Sequence, residues 1–249
     1  MASKKKISDI LFLDIETAGI VASFEDLSVE MQYLWIEKAK IIERDKFLGE
    51  KEAADLFAKR AGIYSEFGKI VCISVGYFDY VKRKIKTFRT KSFFGDNEAE
   101  ILAAFNSMVK KHFDKPSKQA ICGHNIKEFD IPYICRRMII HGIKVPKMLD
   151  LKGKKPWQVD HLLDTMVLWR FGDYKNYTSL RLLAAILDIP TPKDDIDGSM
   201  IHMVYWNQHD LTRIFTYCEK DVFTSAKVFL RLNHLEISEN IDVISKTKP

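Results

Sequence analysis

The stretch Ile10-Leu11-Phe12-Leu13-Asp14-Ile15-Glu16-Thr17 carries an apolar run into two acids one residue apart. In a strand, side chains i and i+2 share a face. Asp14 and Glu16 therefore point the same way as Phe12, while Leu11, Leu13 and Ile15 take the opposite face. A strand apolar on both parities belongs in the middle of a sheet covered on both sides. Two like charges at the end of such a strand repel each other unless a proton or a cation sits between them. A cation site with oxygen ligands is the favoured reading, against the alternative of a solvated acid pair on an edge strand.

The rest of the composition is that of an ordinary globular protein. The 249 residues are 47% hydrophobic and 29% charged, with 11 Gly and 7 Pro. This length suits one large domain with a sizeable core and no need of staples. The net charge of +5 is compatible with a polyanionic partner without demanding one. Cys72, Cys122, Cys135 and Cys218 form no C-x-x-C pair and sit mostly in apolar runs, as buried reduced thiols do. No apolar signal core follows the basic N-terminus and no stretch is long enough to span a membrane, so a cytoplasmic protein is expected.

Outward from the first strand, residues 24–64 read as a polar helical insertion. Its apolar positions are Leu34, Ile41, Ile42, Phe47, Leu48, Ala54, Leu56 and Phe57. Lys69 to Tyr80 and Lys84 to Phe88 read as an antiparallel hairpin. Asn97 and Glu100 form a capping-box pattern for a helix with the stripe Ile101, Leu102, Phe105, Met108 and Val109. Lys118 to Cys122 is a buried strand, and Asp130 to Ile140 is a helix closed by Gly142. His161 to Thr165 ends another strand, and Leu180 to Leu187 is a short helix. A last long helix runs from about Asp210 to Leu232. The order implies a single α/β domain of 1–249, core about 7–235, with a mixed sheet whose antiparallel part is the hairpin.

Two further clusters carry chemistry. Gly123 to Tyr133 includes Asn125, Phe129 and Asp130; Asp130 reads either as the cap of the following helix or as a carboxylate at its start, facing the first strand. In Tyr217-Cys218-Glu219-Lys220-Asp221, Tyr217 and Asp221 are i and i+4 on one helical face. Taken in order, D-x-E, N-x-x-x-F-D and Y-x-x-x-D resemble the three motifs of the DEDD 3′→5′ exonuclease superfamily, which has the ribonuclease H-like fold. The block Gly123 to Tyr133 is similar to the second motif of family B DNA polymerase proofreading domains. The chain also resembles the group of predicted 3′→5′ exonucleases related to those domains. Thr216 stands where the histidine branch has its histidine, so the chain resembles the tyrosine branch.

The resemblance implies that Asp14, Glu16, Asp130 and Asp221 are the four carboxylates and that Tyr217 orients the attacking water. Four oxygen donors suit two Mg²⁺ or Mn²⁺ ions. In the two-ion scheme Asp14 bridges both, Glu16 and Asp221 help hold the water-activating ion, and Asp130 serves the other, largely through water. Thr17, Asn125 and Phe129 are the substrate-contact candidates, with Phe129 equally readable as loop support. The expected substrate is the 3′ end of single-stranded DNA, with RNA as the alternative. A silent nucleic-acid-binding module that recruits a polymerase or repair partner is the rival from another class. Asp164 reads as structural or as support for the ligands. The acidic run Lys193 to Gly198 reads as a loop and helix cap.

Overall fold

A computed structural model describes residues 5–81, 84–173, 177–191, 196–235 and 241–248. Six strands form one sheet in the order β5-β4-β1-β2-β3-β6. They are β1 (Ile10–Gly19), β2 (Gly68–Val81), β3 (Lys84–Phe94), β4 (Ala120–Gly123), β5 (Leu162–Asp164) and β6 (Asp242–Ser245). β2 pairs antiparallel with β1 and with β3, while β4 lies parallel to β1 and to β5. The expected hairpin is the antiparallel part of a mixed sheet; its two joining residues lie outside the described part.

The helices are α1 (Val29–Glu43), α2 (Glu50–Arg60), α3 (Glu98–His112), α4 (Asp130–Ile140), α5 (Thr165–Arg170), α6 (Leu180–Ile186), α7 (Ile201–Trp206) and α8 (Leu211–Leu232). β1 is covered on both faces, as its two-sided apolar pattern implies. Leu11, Leu13 and Ile15 pack with Ile101, Leu102 and Phe105 of α3 and Ile131 and Ile134 of α4. Phe12 points the other way, into Phe78, Phe88 and the α8 residues Val222, Ala226 and Phe229. Its ring meets Phe78 and Phe229 edge-on at 5.5 and 5.8 Å, a favourable aromatic geometry. α8 can approach β2 closely because Gly76 lacks a side chain; a Cβ there would lie 2.4 Å from the Phe88 ring and 3.0 Å from Val222.

Local signals act as expected at several ends. Asn97 accepts from the Ala99 and Glu100 N–H groups, although Glu100 returns its bond to the Asn97 side-chain amide rather than to the backbone. α4 ends with the Gly142 N–H donating to Ile139 O and the Ile143 N–H to Met138 O, the Schellman pattern closed by a glycine at φ +67°. Asp210 caps α8 by accepting from the Arg213 N–H at 2.9 Å.

The helical insertion follows the expected positions in part: Phe57 is central, and Ile42, Leu48, Ala54 and Leu56 pack against the same cluster. Trp35, Ala39, Ala53, Phe57 and Ala61 form its centre, and the Trp35 Nε1–H donates to Ala53 O at 2.7 Å. Leu34, Ile41 and Phe47 are 44, 72 and 94% exposed. The i, i+4 pairs Trp35/Ala39 and Ala53/Phe57 set the buried stripe, and small alanines let α1 and α2 close on the indole. Leu34 and Ile41, seven residues apart, share a different face. β6 lies beyond the expected core boundary, parallel to β3 at the sheet edge through Thr87 to Thr90.

Candidate functional site

The site gathers at the C-terminal part of β1. Asp14 and Glu16 lie opposite Ser74 and Cys72 of β2, and the β1–β2 register slips just after Glu16. Such a bulge re-aims the following side chains, and Thr17 turns to donate its hydroxyl to Gly62 O at 2.7 Å. Glu16 is 6% exposed, too buried to be a casually solvated acid.

Asp130 reaches the same place from the opposite face. It is the first residue of α4 rather than its cap, since Phe129 holds the cap position without a side-chain bond. Its Oδ1 accepts the Ile15 N–H at 3.2 Å, between the two acids of β1. The loop before it can come this close because Gly123 has no Cβ; one would sit 2.5 Å from Leu13 O. Of the two readings of Asp130, the carboxylate facing β1 is the one observed.

α8 supplies the third side. Its Asp221 hydrogen-bonds the Tyr217 side chain, and both act electrostatically on Glu16 and Asp14. Burial, then the charges of Asp130 and Asp221, holds the Asp14 carboxyl well above the usual carboxylate range. Burial, then Asp14 and Asp221, does the same to Glu16. Asp130 is pushed up to about 7 by burial and by Asp164, against hydrogen bonds from its own and the Ile15 backbone N–H. Burial and the neighbouring acids raise Tyr217, which therefore stays a neutral phenol that can donate and accept but not act as a base. All five predicted catalytic residues converge here.

The donor set fits a hard divalent cation. Ligand atoms of Asp14, Glu16 and Cys218 lie within 4.8 Å of one another, and the charge pressed together calls for a proton or a cation between the carboxylates. Asp14 and Glu16 supply the carboxylate oxygens that could hold it, with Asp130 and Asp221 near enough to act on both electrostatically.

The three substrate-contact candidates fare differently. The Thr17 hydroxyl proton is committed to Gly62 O. Phe129 is half-buried against the core, its ring tilted against that of Tyr133 at 5.4 Å, which favours the loop-support reading. Asn125 sits at φ +64°, and its side-chain Oδ1 is buried with no partner among the described residues. Buried polar atoms are rarely left so, and this residue's N–H is held by the Asp164 carboxylate. Asp164 supports the motif from behind: its carboxylate accepts the N–H groups of Asn125 and Lys127 at 3.0 Å each and caps α5. In the acidic run, Asp197 caps a short turn by accepting from the Ser199 N–H at 2.9 Å; residues 192–195 lie outside the described part.

Cys218 was missed as a site residue. Its thiol donates to Asp14 Oδ2 at 3.4 Å, and its position three residues before Asp221 on the same helix face was the available signal.

A mixed sheet whose central strand receives acids from helices on both faces defines an α/β fold of the ribonuclease H-like class. Among solved structures, the chain is similar to the family B DNA polymerase from the hyperthermophilic archaeon Pyrobaculum calidifontis, with a TM-score of 0.54 at 16% identity. The match covers 90% of this chain and 24% of that one, so the chain spans about a quarter of the polymerase it matches. Residues 63–244 match the family described as predicted 3′-5′ exonucleases related to the exonuclease domain of PolB, and the chain belongs to that family. No curated protein matches it.

Proposed function

We propose that the chain, as one domain over its whole length, is a metal-dependent 3′→5′ exonuclease that hydrolyses phosphodiester bonds at the 3′ ends of single-stranded DNA. The observation that carries this reading is the meeting of Asp14, Glu16, Asp130 and Asp221, from one strand and two helices, beside a neutral Tyr217. A chain that only bound nucleic acid would gain nothing by pressing four acids together.

Two bound Mg²⁺ or Mn²⁺ ions would supply an activated water and relief of charge on the departing 3′-oxygen. Asp14 faces both Glu16 and Asp130 and is the residue suited to bridge the pair. Tyr217, tied to Asp221, holds the attacking water in line by hydrogen bonding. Asn125 is the proposed polar contact to the terminal nucleotide, and a single-stranded end meets such a site without a sequence requirement. Among the described residues no helix is long and apolar enough to cross a membrane, and the four cysteines are free, in keeping with a reducing compartment such as the cytoplasm.

The test is incubation of the purified chain with 3′- and 5′-labelled DNA and RNA oligonucleotides in Mg²⁺, Mn²⁺ or EDTA. Stepwise shortening of DNA from the 3′ end, stopped by EDTA, is expected. Faster loss from RNA would move the substrate to RNA 3′ ends, and binding without cleavage in either metal would overturn the enzyme reading.

A further inference from the structure

A row of hydroxyls and thiols lies beneath α8 between Glu219 and Asp14. The Ser92 hydroxyl donates to Glu219 Oε1 at 2.9 Å, and the Ser74 and Ser92 hydroxyl oxygens are 2.8 Å apart. Cys72 Sγ lies 3.5 Å from Ser74 Oγ and is hydrogen-bonded to the Cys218 thiol. Cys218 donates to Asp14 Oδ2 at 3.4 Å and approaches Asp14 O at 3.5 Å. Asp14, Ser74 and Ser92 form one cross-strand row, and Cys72 shares their face of the sheet.

The far end is anchored. Glu219 also accepts from Thr90 Oγ1 at 2.7 Å, from Ser245 Oγ at 3.1 Å and from Thr247 Oγ1. β3 and the segment around β6 therefore hold a carboxylate that lies between Tyr217 and Asp221 in α8. The direction of the bonds follows from counting protons. Ser92 gives its one proton to Glu219, so Ser74 donates to Ser92, while Cys218 gives its proton to Asp14. The donors diverge from Cys72, whose thiol serves one neighbour at a time. Cys72, Ser74 and Cys218 are fully buried, where apolar residues would fit at less cost, so the polar row has a consequence other than packing.

We propose that Cys218 is a positioning residue for the metal site: its thiol, donating to Asp14 Oδ2, fixes the orientation of the Asp14 carboxylate. This rests on the reading of Asp14 as a metal ligand. Hydrogen bonds from groups behind a ligand commonly govern metal affinity by about 10–100-fold, and a thiol donor belongs at the low end of that range.

The experiment is Mn²⁺ binding to the full chain, followed by electron paramagnetic resonance, for the wild type, Asp14→Asn, Cys218→Ala and Cys218→Ser. Cys218→Ala is expected to bind about 10-fold more weakly, with Cys218→Ser restoring most of the affinity because its hydroxyl also donates. Wild-type affinity in Cys218→Ala, with binding lost in Asp14→Asn, overturns the positioning role and leaves the metal site standing. Wild-type affinity in Asp14→Asn overturns both. A second measurement is the infrared S–H band present in the wild type and missing from Cys218→Ser, which is expected to shift on adding Mg²⁺ to the wild type, as Asp14 shares its charge with the ion. An unshifted band contradicts the contact.

Discussion

Replacing Asp14 by asparagine should make the metal-free chain more stable while destroying its response to metal. Two full charges at the 4.8 Å limit set by the site would repel by about 3.5 kcal/mol at an effective dielectric of about 20. Water penetration and partial protonation relieve part of this, leaving roughly 1–3 kcal/mol for an isosteric amide to recover. For a chain of this length each kcal/mol moves Tm by about 2–4 °C, so a rise of several degrees is expected in EDTA at pH 8. The sign follows from the raised carboxyls. A group whose folded pKa lies above its unfolded value stabilises fully below the unfolded value, about 4, and that stability is lost as pH rises through the folded value. Asp14 and Glu16 are raised well above their usual range and Asp130 to about 7, so the advantage of Asp14→Asn grows from about pH 4 to above pH 7. Thermal melts of both proteins across this range, with and without Mn²⁺, provide the assay. Mn²⁺ should raise the wild-type Tm and leave the variant nearly unmoved. A variant that melts below the wild type in EDTA at pH 8 and still gains stability from Mn²⁺ refutes the argument.

The same carboxyls make metal binding pH-dependent: Asp130 must lose its proton to serve an ion, so apparent Mn²⁺ affinity, measured by calorimetry, should climb between about pH 6 and 8. Tyr217→Phe should keep the fold and metal binding but lower kcat by about 10–100-fold, because only the positioning of water is lost; steady-state kinetics decide this. Away from the site, Arg137 gives two hydrogen bonds to Glu98, at 2.9 and 2.5 Å, with both side chains buried. Removing Arg137 should cost about 3–5 kcal/mol in urea unfolding. Burial pushes the Glu98 carboxyl up, but hydrogen bonds from Arg137, the Ile70 N–H and His141 outweigh it and hold the group below its usual range. Its stabilisation is therefore present above about pH 4.3 and lost as pH falls through the lowered value, so Glu98→Gln should flatten the acid limb of the stability profile.

Period and punctuation make much of this chain legible in its sequence. β1 declared both its faces, because Phe12 and the Leu11/Leu13/Ile15 set occupy opposite parities and each found its own core. Asn97, Gly142 and Asp210 marked helix ends through their own backbone chemistry. The facing acids were readable as a constellation, since each motif carried its local element with it. What stayed hidden depended on tertiary contact. The insertion's buried stripe was set by Trp35 and by alanines, which carry little hydrophobic signal, while Ile41 and Phe47 remained outside. β6 is four residues of mostly exposed chain held by pairing to β3 and by bonds to Glu219, neither of which leaves an apolar pattern. Cys218 looked like one more core thiol until Asp14 was found beside it.

The central claim is that the acids of β1 and α8 form one metal-dependent hydrolytic site. Its most direct test is the rate of mononucleotide release from a 3′-labelled single-stranded DNA in Mn²⁺, for the wild type, Asp14→Ala and Asp221→Ala, each checked for folding by circular dichroism. Release by the wild type alone is expected, abolished by EDTA, with both variants folded and inactive. Wild-type-like, metal-dependent release by either folded variant would contradict it.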